Sequence, residues 1–387
     1  MDGRRNIWIL ILVLFVVMLG HGIVVPILPF YIESMGAGGT ELGLLTASYA
    51  ATRLIFGPLW GGLSDRIGRK PVLLVGILGY VLSMVWFGLA TQLWMLFAAR
   101  ILAGILSSAT APTTMAYVGD STMQDDRGGG MGALGAAGGV GTILGPLFGG
   151  LLATCSLSLP FFLAAGLALL SLLLAALFLP ESHAPESGRE RRSSDWRVWR
   201  QALVGPALPL YVLTLIATAG LMIFASVFGL YWMERLGFGP EEIGIITMAL
   251  GLVSALSQGL LVGPLTKRWG ERRVIQWSFV GSAICLSLLL LPRSLGWVAA
   301  ITGLFALTAS LQGPALLSLT SQRCDASQGV VMGLSNAFVS LGRIAGPLWG
   351  GVGYDHDARF PFVSGAVLLA AGYVVSRVWM RERATVP

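Results

Sequence analysis

Four side chains carry ionisable groups into apolar surroundings: His21, Arg53, Arg100 and Arg343. In such surroundings a charge must be paired, hydrated or used. An arginine keeps its proton, so it suits holding an anion or tuning a neighbouring acid. A histidine exchanges a proton near neutral pH, but it also serves as a neutral, hydrogen-bonded packing group. The apolar runs hold no carboxylate near their middles. The nearest acids, Glu33, Asp65, Asp120 and Glu234, stand at the ends. If this chain moves protons, the candidate carriers are His21, Glu33 and Asp120. Enzymatic arrangements are missing from the pattern. The three cysteines and three histidines are scattered, and neither metal-ligand spacing nor a nucleophile–base pair is present. The glycine-flanked segment at Gly61 lacks G-x-x-x-x-G-K-[ST], so it is not an ATP site. The expectation is a protein that is not an enzyme, with no cofactor and no metal, drawing energy from gradients.

A second cluster of charge stands in one polar loop, Gly61-Gly-Leu-Ser-Asp-Arg-Ile-Gly-Arg-Lys70, with Asp65, Arg66 and Arg69 around Gly68. A worn copy returns as Gly263-Pro-Leu-Thr-Lys-Arg-Trp-Gly-Glu-Arg272. Charged loops repeated once per half suggest two halves that move against each other.

The elements that hold these residues follow from composition. Mean hydropathy is +0.78, and only 11% of the 387 residues are charged, against roughly 25% in soluble chains. Twelve spans are expected, at about 7–30, 42–63, 72–91, 93–118, 131–154, 160–180, 205–233, 243–266, 274–292, 296–320, 331–354 and 360–380. Such lengths fit helices and exceed barrel strands. The first run is too long for a signal peptide, contains Pro26 and Pro29, and is read as a retained span. Its two prolines should weaken its last turns. With the N-terminus inside, nineteen of the 25 Lys and Arg fall on the cytoplasmic side, counting Arg377 at the inner end of the last span, and three in outer loops. That asymmetry is the positive-inside pattern. It accounts for the net charge of +6 without nucleic acid, and it places both termini in the cytoplasm, with the chain multi-pass in the cytoplasmic (inner) membrane.

The stretch 181–204 is polar and divides two bundles, 1–180 and 205–387. It reads as a solvated linker, with Trp196 and Trp199 suited to a short amphipathic helix at the membrane surface. The bundles repeat. A shift of 202 places Gly61 on Gly263, Arg66 on Arg268 and Gly68 on Gly270. A shift of 201 places Gly141-Thr-Ile-Leu-Gly-Pro-Leu-Phe-Gly-Gly150 on Gly342-Arg-Ile-Ala-Gly-Pro-Leu-Trp-Gly-Gly351. Gly141, Gly145, Pro146, Gly149 and Gly150 therefore belong to a motif, G-x-x-x-G-P-x-x-G-G, present in both bundles. Small residues allow close helix approach and proline bends the axis. Close packing and a bent hinge that limits leakage both fit. Two like six-helix bundles point to a transporter with its site between them.

With those residues in view, the chain resembles the major facilitator superfamily. Gly61–Lys70 resembles that family's signature loop. The Gly141–Gly150 run resembles the antiporter motif of its drug:proton exporters, and Leu19–Pro29 the helix 1 motif of the twelve-helix branch. Leu96–Gly104 is close to that branch's L-x-x-x-R-x-x-x-G. The resemblance implies an all-α membrane fold of twelve helices in two pseudo-symmetric bundles, acting by alternating access. It implies that Asp65 latches against the start of span 11, with Arg66 and Arg69 completing the cluster. In the second copy Lys267 replaces the aspartate, so that half is expected to lack an equivalent latch. It implies that Arg100 faces the central cavity and influences proton release. Tetracycline exporters of this kind carry an aspartate three residues before the G-x-G of helix 1, where this chain has Val17. Spans 1, 4, 7 and 10 surround the path in that fold. Helical spacing then offers His21, Arg100, Ser107, Met115, Thr218, Met222, Phe224, Phe228, Phe305 and Gln312 as cavity residues. Methionine and aromatic walls suit varied amphipathic ligands, although lipid-facing or core packing explains each aromatic equally well. The leading expectation is a monomeric exporter of amphipathic small molecules or drugs in exchange for protons, surrounded by membrane lipid. The alternatives are a facilitator or importer of a metabolite or organic anion, and a non-transporting sensor or lipid-handling protein.

Overall fold

The computed structural model describes residues 2–121, 127–182, 207–291, 294–324 and 327–380. All regular structure among them is helical. The helices are α1 (Asp2–Ser34), α2 (Gly39–Ile67), α3 (Arg69–Leu89), α4 (Leu93–Leu106), α5 (Thr110–Ser121), α6 (Arg127–Ala153) and α7 (Leu159–Phe178). They continue with α8 (Leu208–Leu236), α9 (Pro240–Leu256), α10 (Val262–Leu288), α11 (Leu295–Arg323), α12 (Gln328–His356) and α13 (Phe360–Trp379). Nearly all of the linker at 181–204, with Trp196 and Trp199, lies outside the described residues.

Among the described residues, ten helices are long and apolar enough to cross a membrane. One of them, Pro240–Leu288, has 49 residues. At 1.5 Å per residue it measures about 73 Å, more than twice a hydrocarbon core of roughly 30 Å. Gly270, at φ 76° and ψ 151°, breaks it into two crossings. The helix α2, which carries Glu41, Arg53, Asp65 and Arg66, is the remaining one. The architecture is consistent with the twelve expected crossings. The protein is a multi-pass membrane protein.

Irregularities sit where proline or glycine requires them. A 3-10 turn at Ser107–Ala109 joins α4 to α5 just before Pro112. Pro112 has no N–H to donate to the carbonyl one turn back. A π turn at Ser257–Leu261 joins α9 to α10 just before Pro264. The prolines of α1 do not end it, since the helix runs on through Pro26 and Pro29 to Ser34. Among the described residues four glycines have positive φ, three between helices and one at the break within α10, and they form two pairs. Gly36 and Gly237 share one place in the repeat, and Gly68 and Gly270 the other. Capping repeats as well: the Gly38 N–H donates to Glu41 Oε2 at 2.9 Å, and the Gly239 N–H to Glu242 Oε2 at 2.8 Å. The internal repeat is thus written in backbone conformation, beyond residue identity.

The chain forms two compact units, Met1–Glu190 with Gly229–Met248, and Arg191–Phe228 with Ala249–Pro387. In the first, α1 packs most extensively on α6 and α3 on α7. A core of Leu10, Val13, Leu14, Leu73, Ile77, Tyr117 and Leu134 fills its interior. In the second unit α10 packs on both α11 and α13.

The glycine motif explains the tight α1–α6 pairing. A Cβ at Gly141 would lie 2.6 Å from the Phe15 carbonyl oxygen, and one at Gly149 2.7 Å from that of Ile23. A Cβ at Gly145 would strike the Leu19 carbonyl oxygen. Spaced four apart, these three share a helix face that lies directly on the α1 backbone. Gly150 points elsewhere in the same unit, where a Cβ would meet Pro240 and Gly244 of α9. The second copy does the same work, with Gly342, Gly346 and Gly350 packed on Thr218, Met222 and Ile223 of α8.

Candidate functional site

In the first unit a buried cation organises the site. Arg100, on α4, is 5% exposed. No carboxylate pairs with it among the described residues, and its Nε has no hydrogen-bond partner there. Instead its guanidinium carbon lies 5.3 Å from the centre of the Tyr49 ring and 5.6 Å from that of Phe87. Aromatic faces offset desolvation by about 2 kcal/mol for such a cation. The His21 ring stacks on Tyr49, centroids 5.4 Å apart at 29°. Tyr49 is therefore the common neighbour of the His21 imidazole and the Arg100 guanidinium.

The sequence Gly20-His21-Gly22 gains a physical meaning here. A Cβ at Gly20 would fall on the Tyr80 hydroxyl, and one at Gly22 would lie 2.9 Å from Pro146 Cδ. The two glycines seat helix 1 against its neighbours, and the histidine between them meets α2. Gly104 is equally constrained, since a Cβ there would strike Thr52 of α2. Ser107 is buried, and its hydroxyl donates to the Ala103 carbonyl, 2.5 Å away. Met115, beyond the 3-10 turn, is 40% exposed. The turn shifts the helical phase, so the stripe read from Arg100 to Met115 does not continue on one face.

The second unit contains a cavity of about 440 Å³. It brings together Thr218, Met222 and Gln312 with Thr214, Arg343, Asn336 and Gln258. Gln258 sits in the π turn, a local irregularity often found at functional sites. Gln312 is held by a relay: its Nε2 donates to Ser282 Oγ at 3.1 Å, and that hydroxyl donates to Thr308 Oγ1 at 2.9 Å. Phe224, Phe228 and Phe305 lie elsewhere, in a buried cluster in which Phe224 stands 4.7 Å from Phe305 and 5.1 Å from Phe228. Sequence reasoning missed Gln258 and Asn336. Both are polar residues within expected spans, and no spacing in the sequence marked them as cavity-facing.

The stretch Gly61–Lys70, expected as a loop, is helical on both sides of Gly68, and the charge cluster at this α2–α3 junction is built around Arg69. Its NH1 lies 2.5 Å from Asp65 Oδ1 and donates to Ser64 Oγ at 2.6 Å, and its Nε pairs with Asp120 Oδ2 at 3.0 Å. Arg66 is exposed. Asp120 is therefore engaged with the loop, and Glu33 is exposed at the end of α1. Glu181, which the sequence reading passed over, completes the cluster. Its carboxylate accepts from the backbone N–H groups of Arg69 at 2.8 Å and Lys70 at 3.1 Å, capping α3. Gly68 has φ 103°, a left-handed conformation that favours glycine, and a Cβ there would lie 2.6 Å from Glu181 Oε2.

The second loop is an inverted version. Lys267 stands where the first copy has Asp65, Glu271 where it has Arg69, and Gln322 where it has Asp120. Glu271 Oε1 accepts from Gln322 Nε2 at 3.0 Å and from Ser318 Oγ at 3.2 Å. Hydrogen bonds from its own backbone, then from Gln322, hold the Glu271 carboxyl below the usual carboxylate range. The brace between loop and helix end is kept with reversed polarity.

Comparison with known proteins agrees with this architecture. The family description Major Facilitator Superfamily matches residues 10–230 and 210–387. "Multidrug resistance protein 2" of Bacillus subtilis is 30% identical, covering 99% of this chain and 97% of that protein. "Multidrug resistance protein 1" of the same organism is 31% identical, covering 97% of each. A crystal structure of a bacterial homolog of the human lysosomal transporter Spinster superposes with a TM-score of 0.81 at 16% identity, covering 98% of this chain and 97% of that one.

Proposed function

The chain belongs to the major facilitator superfamily, and from that premise we propose that it exports amphipathic small molecules or drugs across the cytoplasmic membrane in exchange for protons. The carrying observation is the end-to-end likeness to two relatives named for multidrug resistance. The cavity fits such ligands, with Met222 and Leu221 as adaptable apolar wall and Thr218, Gln312 and Arg343 as polar contacts. The substrate partners are small molecules and protons, and the protein works as a monomer with both termini in the cytoplasm.

His21 is the proton carrier in this reading. Asp120 is engaged by Arg69, and Glu33 is exposed at a helix end. Protonating His21 would place a second cation against Tyr49, opposite the permanent charge of Arg100. Like charges sharing one ring raise the energy of the protonated state, and rearrangement toward the cytoplasm relieves it. Gly141, Gly145 and Gly149 keep α1 and α6 in contact, limiting leakage along that seam. Asp65, with Gly61, Arg66, Gly68 and Arg69, acts as the conformational latch.

Expression in an efflux-deficient host tests the export reading. Cells carrying the protein should retain less of a cationic dye, and a protonophore should abolish the difference. Equal retention with and without the protein would refute it. The arginines support a second reading, uptake of organic anions. Uptake of a labelled anion that disappears in Arg100→Ala would favour it.

A further inference from the structure

We propose that the second unit holds the phosphate group of an anionic membrane phospholipid in a basic cleft among the loop-side ends of α10, α11 and α13. The cleft has a volume of about 490 Å³ and is lined by Trp269, Glu271, Arg272, Arg273, Gln276 and Arg377, with Leu319 closing it from α11. Three guanidinium groups meet one carboxylate. That carboxylate is already engaged by Ser318 and Gln322, and none of the three arginines forms an ion pair among the described residues. The side chain of Gln276 is buried and reaches toward the Ser376 carbonyl at 3.5 Å, which ties α10 to α13 beneath the arginines. Beyond Gly270 the helix restarts, so residues 271–274 form a first turn with the positive end of the helix dipole. Paired guanidinium forks on such a turn match a phosphate.

The surroundings favour a lipid over a soluble anion. Trp277 is 67% exposed, Val374 57%, Val378 58% and Trp379 57%. These apolar side chains stand on the same two helices, within about a turn of Gln276 and Arg377. Tryptophans beside arginines mark headgroup depth, and the valines continue as a surface for an acyl chain. Loop-side basic pockets between membrane helices suit anionic headgroups. The inference rests on the chain lying in a membrane and is independent of export, so a binding measurement separates the two.

The full-length protein in detergent is titrated with dioleoylphosphatidylglycerol, and bound lipid is counted by native mass spectrometry. Dioleoylphosphatidylcholine and inorganic phosphate serve as parallel arms. Phosphatidylglycerol should be retained, phosphatidylcholine should not, and inorganic phosphate should not displace the lipid. Arg273→Gln and Arg377→Gln should each weaken retention about fivefold and the double variant about thirtyfold, at roughly 1 kcal/mol per headgroup-level arginine. The single variants keep the test decisive if the double variant does not fold. Arg359→Gln, on an outer loop, should bind as wild type. Unchanged phosphatidylglycerol affinity in the arginine variants would overturn the proposal. So would equal retention of phosphatidylcholine, or displacement by inorganic phosphate, which would assign the cleft to a soluble anion.

Discussion

A buried arginine facing two aromatic rings instead of a carboxylate sets the chemistry of the first unit. Arg100 lies over Tyr49 and Phe87, and His21 stacks on Tyr49. In the proposed mechanism the shared Tyr49 ring carries the effect of protonating His21 to Arg100. Accordingly His21→Gln, which preserves size and hydrogen bonding but cannot take up a proton, should keep substrate affinity and lose most of the pH dependence of transport. Transport rates measured between pH 6 and 8 check this, and a wild-type profile would remove His21 from the proton path. At this scale the sequence was only partly legible. The types and places of His21 and Arg100 were visible in it, but their common neighbour was not. Tyr49 lies on another helix, and no spacing within a single span reveals a contact across two. Glu181 was hidden for the same reason, since its partners at Arg69 and Lys70 are more than a hundred residues away.

At the scale of elements, glycine decides which helices touch. Gly145→Ala places a methyl on the Leu19 carbonyl oxygen, and overpacking of this kind costs about 1–3 kcal/mol. Gly139→Ala, on the same helix with nothing near its Cβ position, should be neutral or stabilising by up to about 1 kcal/mol from helix propensity. Thermal unfolding of the two variants in the same detergent separates packing from propensity. Equal melting temperatures would argue that the α1–α6 contact does not depend on the glycines. The loops behave differently. The first copy uses Asp65, Arg69 and Asp120, and the second uses Glu271 with Ser318 and Gln322. A one-letter comparison reads Lys267 as the loss of an acid. In the structure Glu271, at the place of Arg69, accepts hydrogen bonds from the neutral Ser318 and Gln322, so the contact has an acceptor where the first copy has a donor. Asp65→Asn should slow turnover severalfold while leaving the fold and ligand affinity intact, measurable as a fall in transport rate at unchanged dye binding. Wild-type turnover would leave the loop only a topological role.

At the scale of the whole molecule, the order of crossings, their lengths and the twofold repeat were open to sequence reasoning, because bilayer thickness and backbone satisfaction leave few choices. Cavity lining was less open. The stripe on span 4 assumed unbroken helix through Ser107, and the 3-10 turn changes the phase. Phe224 and Phe228 of α8 pack with Phe305 in the interior of the second unit, and the polar wall includes Gln258 from a π turn that periodicity does not foresee. The proposed exporter moves substrate and protons in opposite directions. Reconstitution into proteoliposomes with an imposed pH gradient tests it most directly. A cationic dye should accumulate against its own gradient only while the proton gradient persists, and dye addition should accelerate proton movement. Dye movement at the same rate with no pH gradient, and without proton flux, would contradict it.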